Sequence, residues 1–152
     1  MLRAELGNAL KERMRARDER AVSTIRLIIA AINDRDIAVR GEGNSQPIDD
    51  GEIFQLLQKM IKQRQESAKM YEEGGRIDLA TREQGEIAII EMFLPQQLTT
   101  QEIEEEVDKV ITQISAVSVK DMGRLMGELR ERYAGRMDFG KASGIAKARL
   151  FG

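Results

Sequence analysis

The chain of 152 residues carries 24 basic and 26 acidic side chains, a net charge of −2, and 41% of its residues are apolar. These values are typical of a folded protein rather than a disordered one. Cys and His are both absent, which excludes disulfides, thiolate metal sites, Ser-His-Asp triads and imidazole metal ligands within this chain. Trp is absent and only 4% of the residues are aromatic, which disfavours a stacking surface for single-stranded nucleic acid.

The first residues show apolar side chains at helical spacing. Leu2, Leu6, Leu10 and Met14 recur every four residues and predict one face of a first helix. Asp18 is expected to cap a second helix. Basic residues cluster around this junction, and the acidic residues between them predict local ion pairs. The cluster consists of Lys11, Arg13, Arg15, Arg17 and Arg20.

Glycines and prolines divide the middle of the chain. Residues 41–47 have the composition of a loop, and a third helix should then run to the glycine pair at residues 74–75. Asp78 is expected to open a fourth helix that includes Phe93 and Leu94 and that the following proline closes, because the residue before a proline is pushed out of helical geometry. We therefore predict a hinge between two domains at residues 94–98.

Three short helices with recognisable start signals follow. Thr99 and Glu102 fit a capping box, in which the hydroxyl and the carboxylate each accept a hydrogen bond from a free backbone N–H group. Ser118 and Asp121 form a related pair, with Asp in the place of Glu. Asp138 is expected to cap the last helix. These signals predict a compact three-helix arrangement at the C-terminal end.

The pattern as a whole predicts an all-α fold, since no segment alternates apolar and polar residues over the length of a strand. We expect a helical N-terminal domain of long helices over residues 1–95 and a small three-helix tail domain over residues 96–152. The longest aliphatic run, residues 27–32, is far shorter than the roughly 20 residues that span a bilayer. The N-terminus lacks the long apolar core of a signal peptide. We therefore expect no membrane segment and a cytoplasmic location.

Charge is unevenly distributed. Residues 120–152 carry eight basic and four acidic side chains, a net charge of +4, and five of the eight are Arg, whose planar group matches phosphate geometry. A nucleic-acid contact surface and an ordinary solvated helix face both fit this charge, and solvated faces are the commoner case. The acidic run at residues 102–108 lies in the first turns of a helix, where the helix dipole favours negative charge. We therefore predict no metal site there.

Two glycines in the predicted helix that follows Ser118 need an explanation. Gly123 and Gly127 lie on one face of this helix, and each costs about 1 kcal/mol relative to Ala in a helix interior. Close approach of another helix is the favoured explanation, and close approach of a phosphate backbone beside Arg124 is the alternative. Gly85 predicts a close helix crossing in the fourth helix for the same reason.

Four stretches together carry a family resemblance: residues 23–32, 62–67, 86–95 and 120–127, which read STIRLIIAAI, KQRQES, EIAIIEMFLP and KDMGRLMG. With them the chain resembles the YqeY-like family, whose C-terminal part is similar to the tail of the GatB subunit of the tRNA-dependent amidotransferase. The resemblance implies a helical domain joined to a three-helix tail. It also implies a connection to glutamine-dependent amidation of misacylated tRNA, a carbon–nitrogen ligase reaction with glutamine as amido-N-donor.

The resemblance implies that the tail binds tRNA or a tRNA-amidation or translation complex, away from the chemistry. The phosphate-contact argument then selects basic residues of the tail. The nucleic-acid-binding candidates are Lys120, Arg124, Arg130, Arg136, Lys141 and Lys147.

Two other functions are considered. One is a protein-interaction adaptor that uses the acidic middle of the chain, net charge −5 over residues 41–94, together with the N-terminal helix hairpin. The other is a stand-alone amidotransferase, which would need an activated nucleophile with a base or a phosphate-binding Gly-rich loop. The six serines are scattered and no such loop is present. We therefore predict no catalytic residues, no metal and no cofactor.

Overall fold

The computed structural model describes residues 1–151 and confirms the all-α prediction. These residues contain no β-strand, and none of their helices combines the length and apolar character needed to cross a bilayer. The chain divides into two compact units, Met1–Pro95 and Gln96–Gly152, here called unit 1 and unit 2. The helices are α1 (Leu2–Arg15), α2 (Glu19–Gly41), α3 (Asp50–Glu73) and α4 (Ile77–Glu91) in unit 1, and α5 (Thr100–Ile114), α6 (Met122–Tyr133) and α7 (Phe139–Phe151) in unit 2, where the 3₁₀ turn Val119–Asp121 precedes α6.

Unit 1 is built around α2 and the α3–α4 pair. The helices α3 and α4 pack extensively on each other, and α2 packs against α1, α3 and α4. Ile28, Leu57 and Ile90 are fully buried at the centre of this core, where removal of apolar surface from water stabilises the fold. The predicted face of α1 is buried at Leu6, but Met14 at its far end is 49% exposed. The apolar face of α1 is therefore buried near the start of the helix and exposed at its end.

Capping residues fix where the second and third helices of unit 1 begin. Asp18 Oδ1 accepts a hydrogen bond from the backbone N–H of Ala21 at 3.2 Å, which confirms the predicted cap of α2. Asp49 Oδ1 accepts from the N–H of Glu52 at 2.9 Å and caps α3 in the same way. The helix α3 ends at Glu73, immediately before the predicted glycine pair.

The observed bounds of α4 differ from the predicted ones by one residue at the start and by three at the end. The helix begins at Ile77, so Asp78 is not its cap but a first-turn residue, whose carboxylate pairs with Arg76 at 3.1 Å and faces the positive end of the helix dipole. The helix ends at Glu91, before Phe93 and Leu94. The N–H groups of these last two residues bond to carbonyls three positions back, which tightens the chain ahead of the proline.

Gly85 lies where α4 passes α2, as the sequence predicts. A Cβ built on Gly85 would be 3.1 Å from Nη1 of Arg20 and 3.4 Å from its Cδ. The close approach is therefore made by the Arg20 side chain of α2 and not by the backbone of a neighbouring helix. The glycine makes room for this arginine.

Unit 2 is a three-helix cluster with its own core. The helices α5, α6 and α7 each contact the other two, and Val107, Leu125, Leu129 and Ala142 are fully buried between them. The backbone N–H of Leu98 donates to the carbonyl of Arg136 at 2.7 Å. This bond ties the segment before α5 to the segment before α7 and closes the cluster.

All three predicted start signals of unit 2 are confirmed. Thr99 Oγ1 accepts from the N–H of Glu102 at 3.1 Å, and Glu102 Oε1 accepts from the N–H of Thr99 at 2.9 Å. Ser118 and Asp121 form a capping box on the 3₁₀ turn, one turn ahead of α6. Asp138 Oδ1 accepts from two backbone N–H groups in the first turn of α7, at 3.0 and 3.2 Å. These caps orient the helices that carry the basic residues.

Candidate nucleic-acid interface

The six basic residues predicted to contact nucleic acid all belong to unit 2, and each of them is exposed. They come from three consecutive pieces of backbone: the 3₁₀ turn with α6, the loop between α6 and α7, and α7 itself. Those pieces supply Lys120, Arg124 and Arg130 first, then Arg136, then Lys141 and Lys147.

Arg124 is held by the residue that caps its own helix. Its Nη2 lies 3.2 Å from Oδ1 of Asp121, and 57% of the arginine side chain remains exposed. The other carboxylate oxygen of Asp121 accepts from the N–H groups of Val117, at 2.9 Å, and Ser118, at 3.3 Å. These two N–H groups, and then Arg124, hold the pKa of the Asp121 carboxyl below its usual range. A phosphate at Arg124 would therefore share this guanidinium with a carboxylate.

Arg130 and Arg136 are positioned without a carboxylate. The guanidinium of Arg130 lies 5.9 Å from the centroid of the Phe139 ring, within the range of a cation–π contact. Arg136 Nε donates to the carbonyl of Gln96 at 3.2 Å. Within residues 1–151, neither arginine has a carboxylate oxygen within 4.0 Å. Neither therefore forms an ion pair, although the charge of Arg136 helps to lower the pKa of the Glu102 carboxyl.

The three lysines of the predicted set are the least constrained of the six. Lys120 is in the 3₁₀ turn, whereas Lys141 and Lys147 are on α7. No carboxylate of the described chain lies within 4.0 Å of any of their ammonium groups. Five of the six predicted residues are thus cations without an ion-pair partner in this part of the chain.

The two remaining arginines of the basic segment are neutralised locally. Arg132 Nε lies 2.9 Å from Oε1 of Glu128, and the arginine also donates to the side chain of Gln113. Arg149 Nε lies 2.8 Å from Oδ1 of Asp108 on α5. The sequence shows the first pair, since its members are one helical turn apart, but the second depends on how α7 packs on α5.

Gly123 and Gly127 are exposed on α6, and the packing explanation favoured for them is wrong. Apart from the helix itself, nothing in the described chain lies within 4 Å of a Cβ built on either residue. On the helical wheel they lie opposite the buried Leu125 and Leu129, and Arg124 is adjacent. No other part of the described chain therefore covers the backbone of α6 at these two positions.

The acidic run of α5 is occupied by structural contacts. The N–H of Thr99 lowers the pKa of the Glu102 carboxyl, which completes the capping box. Glu106 accepts a hydrogen bond from the hydroxyl of Tyr133, and burial together with this bond raises the pKa of Tyr133. Across residues 1–151, no three acidic side chains converge in a way that could hold a metal ion. The carboxylates of Glu102 and Glu106 therefore stabilise contacts within unit 2.

Two features of this surface escape the sequence analysis. Phe139, expected only as an apolar residue of the last helix, also carries Arg130 against its ring. Val117 and Val119 are 82% and 43% exposed beside Lys120, although β-branched apolar residues usually indicate a core position. Val119 lies within the Ser118–Asp121 capping box, where a short 3₁₀ turn offers no helical face to bury, and Val117 comes immediately before this box.

The basic cluster near the start of the chain makes fewer local ion pairs than predicted. Arg13 Nη1 lies 3.2 Å from Oδ2 of Asp18. The other four cations have no carboxylate within 4.0 Å among residues 1–151; they are Lys11, Arg15, Arg17 and Arg20.

Comparison with curated proteins shows relatives in three yeasts. A protein of Saccharomyces cerevisiae named "Altered inheritance of mitochondria protein 41, mitochondrial" is 30% identical over 128 residues, which cover 79% of this chain and 65% of the relative. Proteins of the same name from Lachancea thermotolerans and Eremothecium gossypii are each 31% identical, over 113 and 91 residues; the matches cover 73% and 60% of this chain and 58% and 48% of those proteins. The chain thus spans about two thirds or less of each relative's length.

These relatives contradict the expected cytoplasmic location, because each of them is named a mitochondrial protein. The expectation rested on the composition of the first residues and on the short aliphatic run, and neither feature reports where a protein acts. The sequence model of the family described as Yqey-like protein matches residues 3–150, nearly the whole chain. The chain therefore belongs to the Yqey-like protein family.

Proposed function

We propose that this protein is a non-catalytic helical module that binds tRNA, alone or within a tRNA-amidation complex, through unit 2. The observation that carries the proposal is the group of five exposed cations without a carboxylate partner, together with Arg124 on the adjacent turn. Such cations bind a phosphate backbone by releasing its counterions. The resemblance of the C-terminal part to the GatB tail supports tRNA as the nucleic acid.

The chemistry of these cations supports contact with the phosphate backbone of the RNA rather than recognition of its base edges. Lys120, Lys141 and Lys147 are mobile point charges, suited to phosphates whose positions vary along a strand. The exposed glycine face of α6 would let a phosphate approach the helix backbone, which a side chain of ordinary size would prevent. Unit 2 would then recognise the shape and charge of a folded RNA.

A salt-dependent titration of the full chain tests this proposal. Fluorescently labelled tRNA is titrated with the wild-type protein and with the double variant Lys141→Gln, Lys147→Gln at several salt concentrations. Wild-type affinity should fall steeply with salt, and the double variant should bind more weakly with a log–log salt slope smaller by about 1.5. The matched control is Lys59→Gln, Lys69→Gln, which removes the same charge from exposed positions of α3 in unit 1.

The control pair separates a local contact from a general effect of net charge. If tRNA contacts unit 2, the α3 pair should leave both the affinity and the salt slope close to their wild-type values. Equal losses in the two double variants would show that the protein attracts RNA through its overall charge alone. Absence of tRNA binding by the wild-type chain at low salt would contradict the proposal directly.

A further inference from the structure

Unit 1 carries a groove that contains none of the six residues predicted to contact nucleic acid. The groove has a volume of about 700 Å³ and lies where the end of α1 meets the first half of α2. Its apolar lining comes from Met14, Val22, Leu27 and Ala30, and its charged lining includes Arg17 and Arg26. The groove overlaps residues 23–32, a stretch that the proposed tRNA contact does not use.

The apolar lining of the groove is accessible to a partner. Met14 is 49% exposed and Leu27 is 46% exposed. Single exposed apolar residues are common on protein surfaces, but here two large ones share one concave feature with Val22 and Ala30. The unbranched side chain of Met14 can adapt to the shape of an apolar group that docks against it. The groove therefore offers a surface that an apolar face could cover.

Arg17 occupies a backbone position at which glycine would be less strained. The end of α1 is a Schellman motif: the N–H of Arg17 donates to the carbonyl of Met14 at 3.2 Å, and the N–H of Asp18 donates to the carbonyl of Arg13 at 3.0 Å. Arg17 has φ +56°, a left-handed conformation that Gly adopts freely and that other residues adopt at a cost. An arginine held there in spite of that cost indicates a use for its side chain.

The two arginines of the groove form no ion pair with an acidic side chain of the described chain. Within residues 1–151, no carboxylate lies within 4.0 Å of the guanidinium of Arg17 or Arg26. Glu19 also lines the groove but pairs with neither. Two free guanidinium groups beside an apolar lining match a ligand that presents carboxylates next to apolar side chains.

We propose that this groove binds the acidic, amphipathic helix of a protein partner. Apolar side chains at helical spacing would cover Met14, Val22 and Leu27, and carboxylates on the flanks of that helix would pair with Arg17 and Arg26. An RNA fits less well, because the lining contains no aromatic ring on which a base could stack. The acidic helix α5 of a second copy also fits less well, because none of the strongly exposed large apolar residues of the described chain lies on α5.

Methyl NMR on the full chain, labelled at its methionines, tests the groove directly. The probe is a synthetic peptide of about 18 residues with Leu at every third or fourth position and Glu at the flanking positions, a pattern typical of a groove-binding helix. The Met14 signal should shift progressively and reach saturation. A peptide of the same composition in scrambled order, without an apolar face, should leave that signal unchanged.

Two variants and a matched control relate the signal to the arginines. Arg26→Glu should weaken peptide binding by about tenfold or more, because attraction becomes repulsion. Arg17→Gly removes a guanidinium, so it should weaken peptide binding. It also removes the strain of the left-handed backbone at this position, so the melting temperature should stay the same or rise. Arg35→Glu introduces the same charge change at an exposed position of α2 outside the groove and should bind the peptide as the wild type does.

Four results would each overturn the proposal. The first is a Met14 signal that is insensitive to the peptide at millimolar concentration, and the second is an equal response to the scrambled peptide. The signal could also shift with tRNA and not with the peptide, which would make the groove an RNA site. It could shift on dilution of the protein alone, which would make the groove a contact between copies of this chain.

Discussion

Arg3 and Asp36 form a two-point ion pair between α1 and α2. Arg3 Nη1 lies 2.9 Å from Asp36 Oδ2, and Arg3 Nη2 lies 3.0 Å from Asp36 Oδ1. Both residues also bind the backbone of Ile48, since Asp36 Oδ1 accepts from its N–H at 2.9 Å and Arg3 Nη2 donates to its carbonyl at 2.9 Å. The pair therefore fixes the loop that precedes α3 and seats the buried Ile48 in the core of unit 1.

Replacement of Asp36 by Asn should lower the free energy of unfolding of unit 1 by about 2 kcal/mol, because hydrogen bonds to charged groups contribute about 1.5–3 kcal/mol each and an amide keeps only part of the network. The chain has two tyrosines and no Trp, and Tyr71 is the tyrosine of unit 1. Urea unfolding followed by tyrosine fluorescence, in a Tyr133→Phe background, therefore reports on unit 1. Asp34→Asn, an exposed position on the same helix, should change stability by less than about 0.5 kcal/mol.

The same ion pair predicts how the stability of unit 1 depends on pH. The hydrogen bond from Arg3, followed by the N–H of Ile48, holds the pKa of the Asp36 carboxyl below its usual range. A carboxyl with a lowered folded-state pKa contributes fully above its unfolded value of about 3.9 and loses that contribution as pH falls through the folded value. The stability difference between wild type and Asp36→Asn should therefore be constant from about pH 7 to pH 5 and should narrow below about pH 4.

Urea midpoints measured across this range check the dependence. The variant lacks the titrating group, so its own stability should fall less steeply with acidification than that of the wild type. A difference that stays constant down to about pH 3 would show that the pKa of Asp36 is the same in the folded and unfolded chains.

Helix starts were predictable where the sequence holds both partners of the deciding contact. Asp18 and Thr99 each bond to a backbone N–H three residues further along the chain, so a short motif contains the whole interaction. The start of α4 was missed because Arg76, at the position of its cap, makes no side-chain capping bond, while Asp78 pairs with this arginine. The presence of Asp, a residue type common at helix caps, does not show that its carboxylate is already paired with a neighbouring residue.

The candidate nucleic-acid interface was likewise predictable from the sequence only in part. Exposure of the basic side chains is the usual case for Lys and Arg, but their pairing depended on contacts distant in sequence, such as Arg149 with Asp108 at a separation of 41 residues. The sequence also shows that Gly127 lowers the stability of its helix, but it does not show whether another part of the protein packs against this residue. That question is settled by the surroundings of α6, which leave the position open.

The capping box of α5 should contribute measurably to the stability of unit 2. Thr99→Ala removes the hydroxyl that accepts the N–H of Glu102 and should cost about 1 kcal/mol. Thr99→Ser keeps that acceptor, and Ser is at least as favourable as Thr at this position, so the free energy of unfolding should stay close to that of the wild type. Tyrosine fluorescence in a Tyr71→Phe background follows unit 2 through Tyr133 alone. Equal losses in the two variants would assign the effect to the lost methyl group instead.

Gly127→Ala should separate stability from RNA binding. The position is helical, exposed and open, so the added methyl should raise the free energy of unfolding of unit 2 by up to about 1 kcal/mol. The same methyl would stand between a phosphate and the helix backbone, so tRNA affinity should fall although the protein is more stable. Gly7→Ala is the matched control, since this glycine of α1 is also open; it should stabilise unit 1 without changing tRNA affinity. Wild-type tRNA binding by the stabilised Gly127→Ala variant would move the RNA contact away from this face of α6.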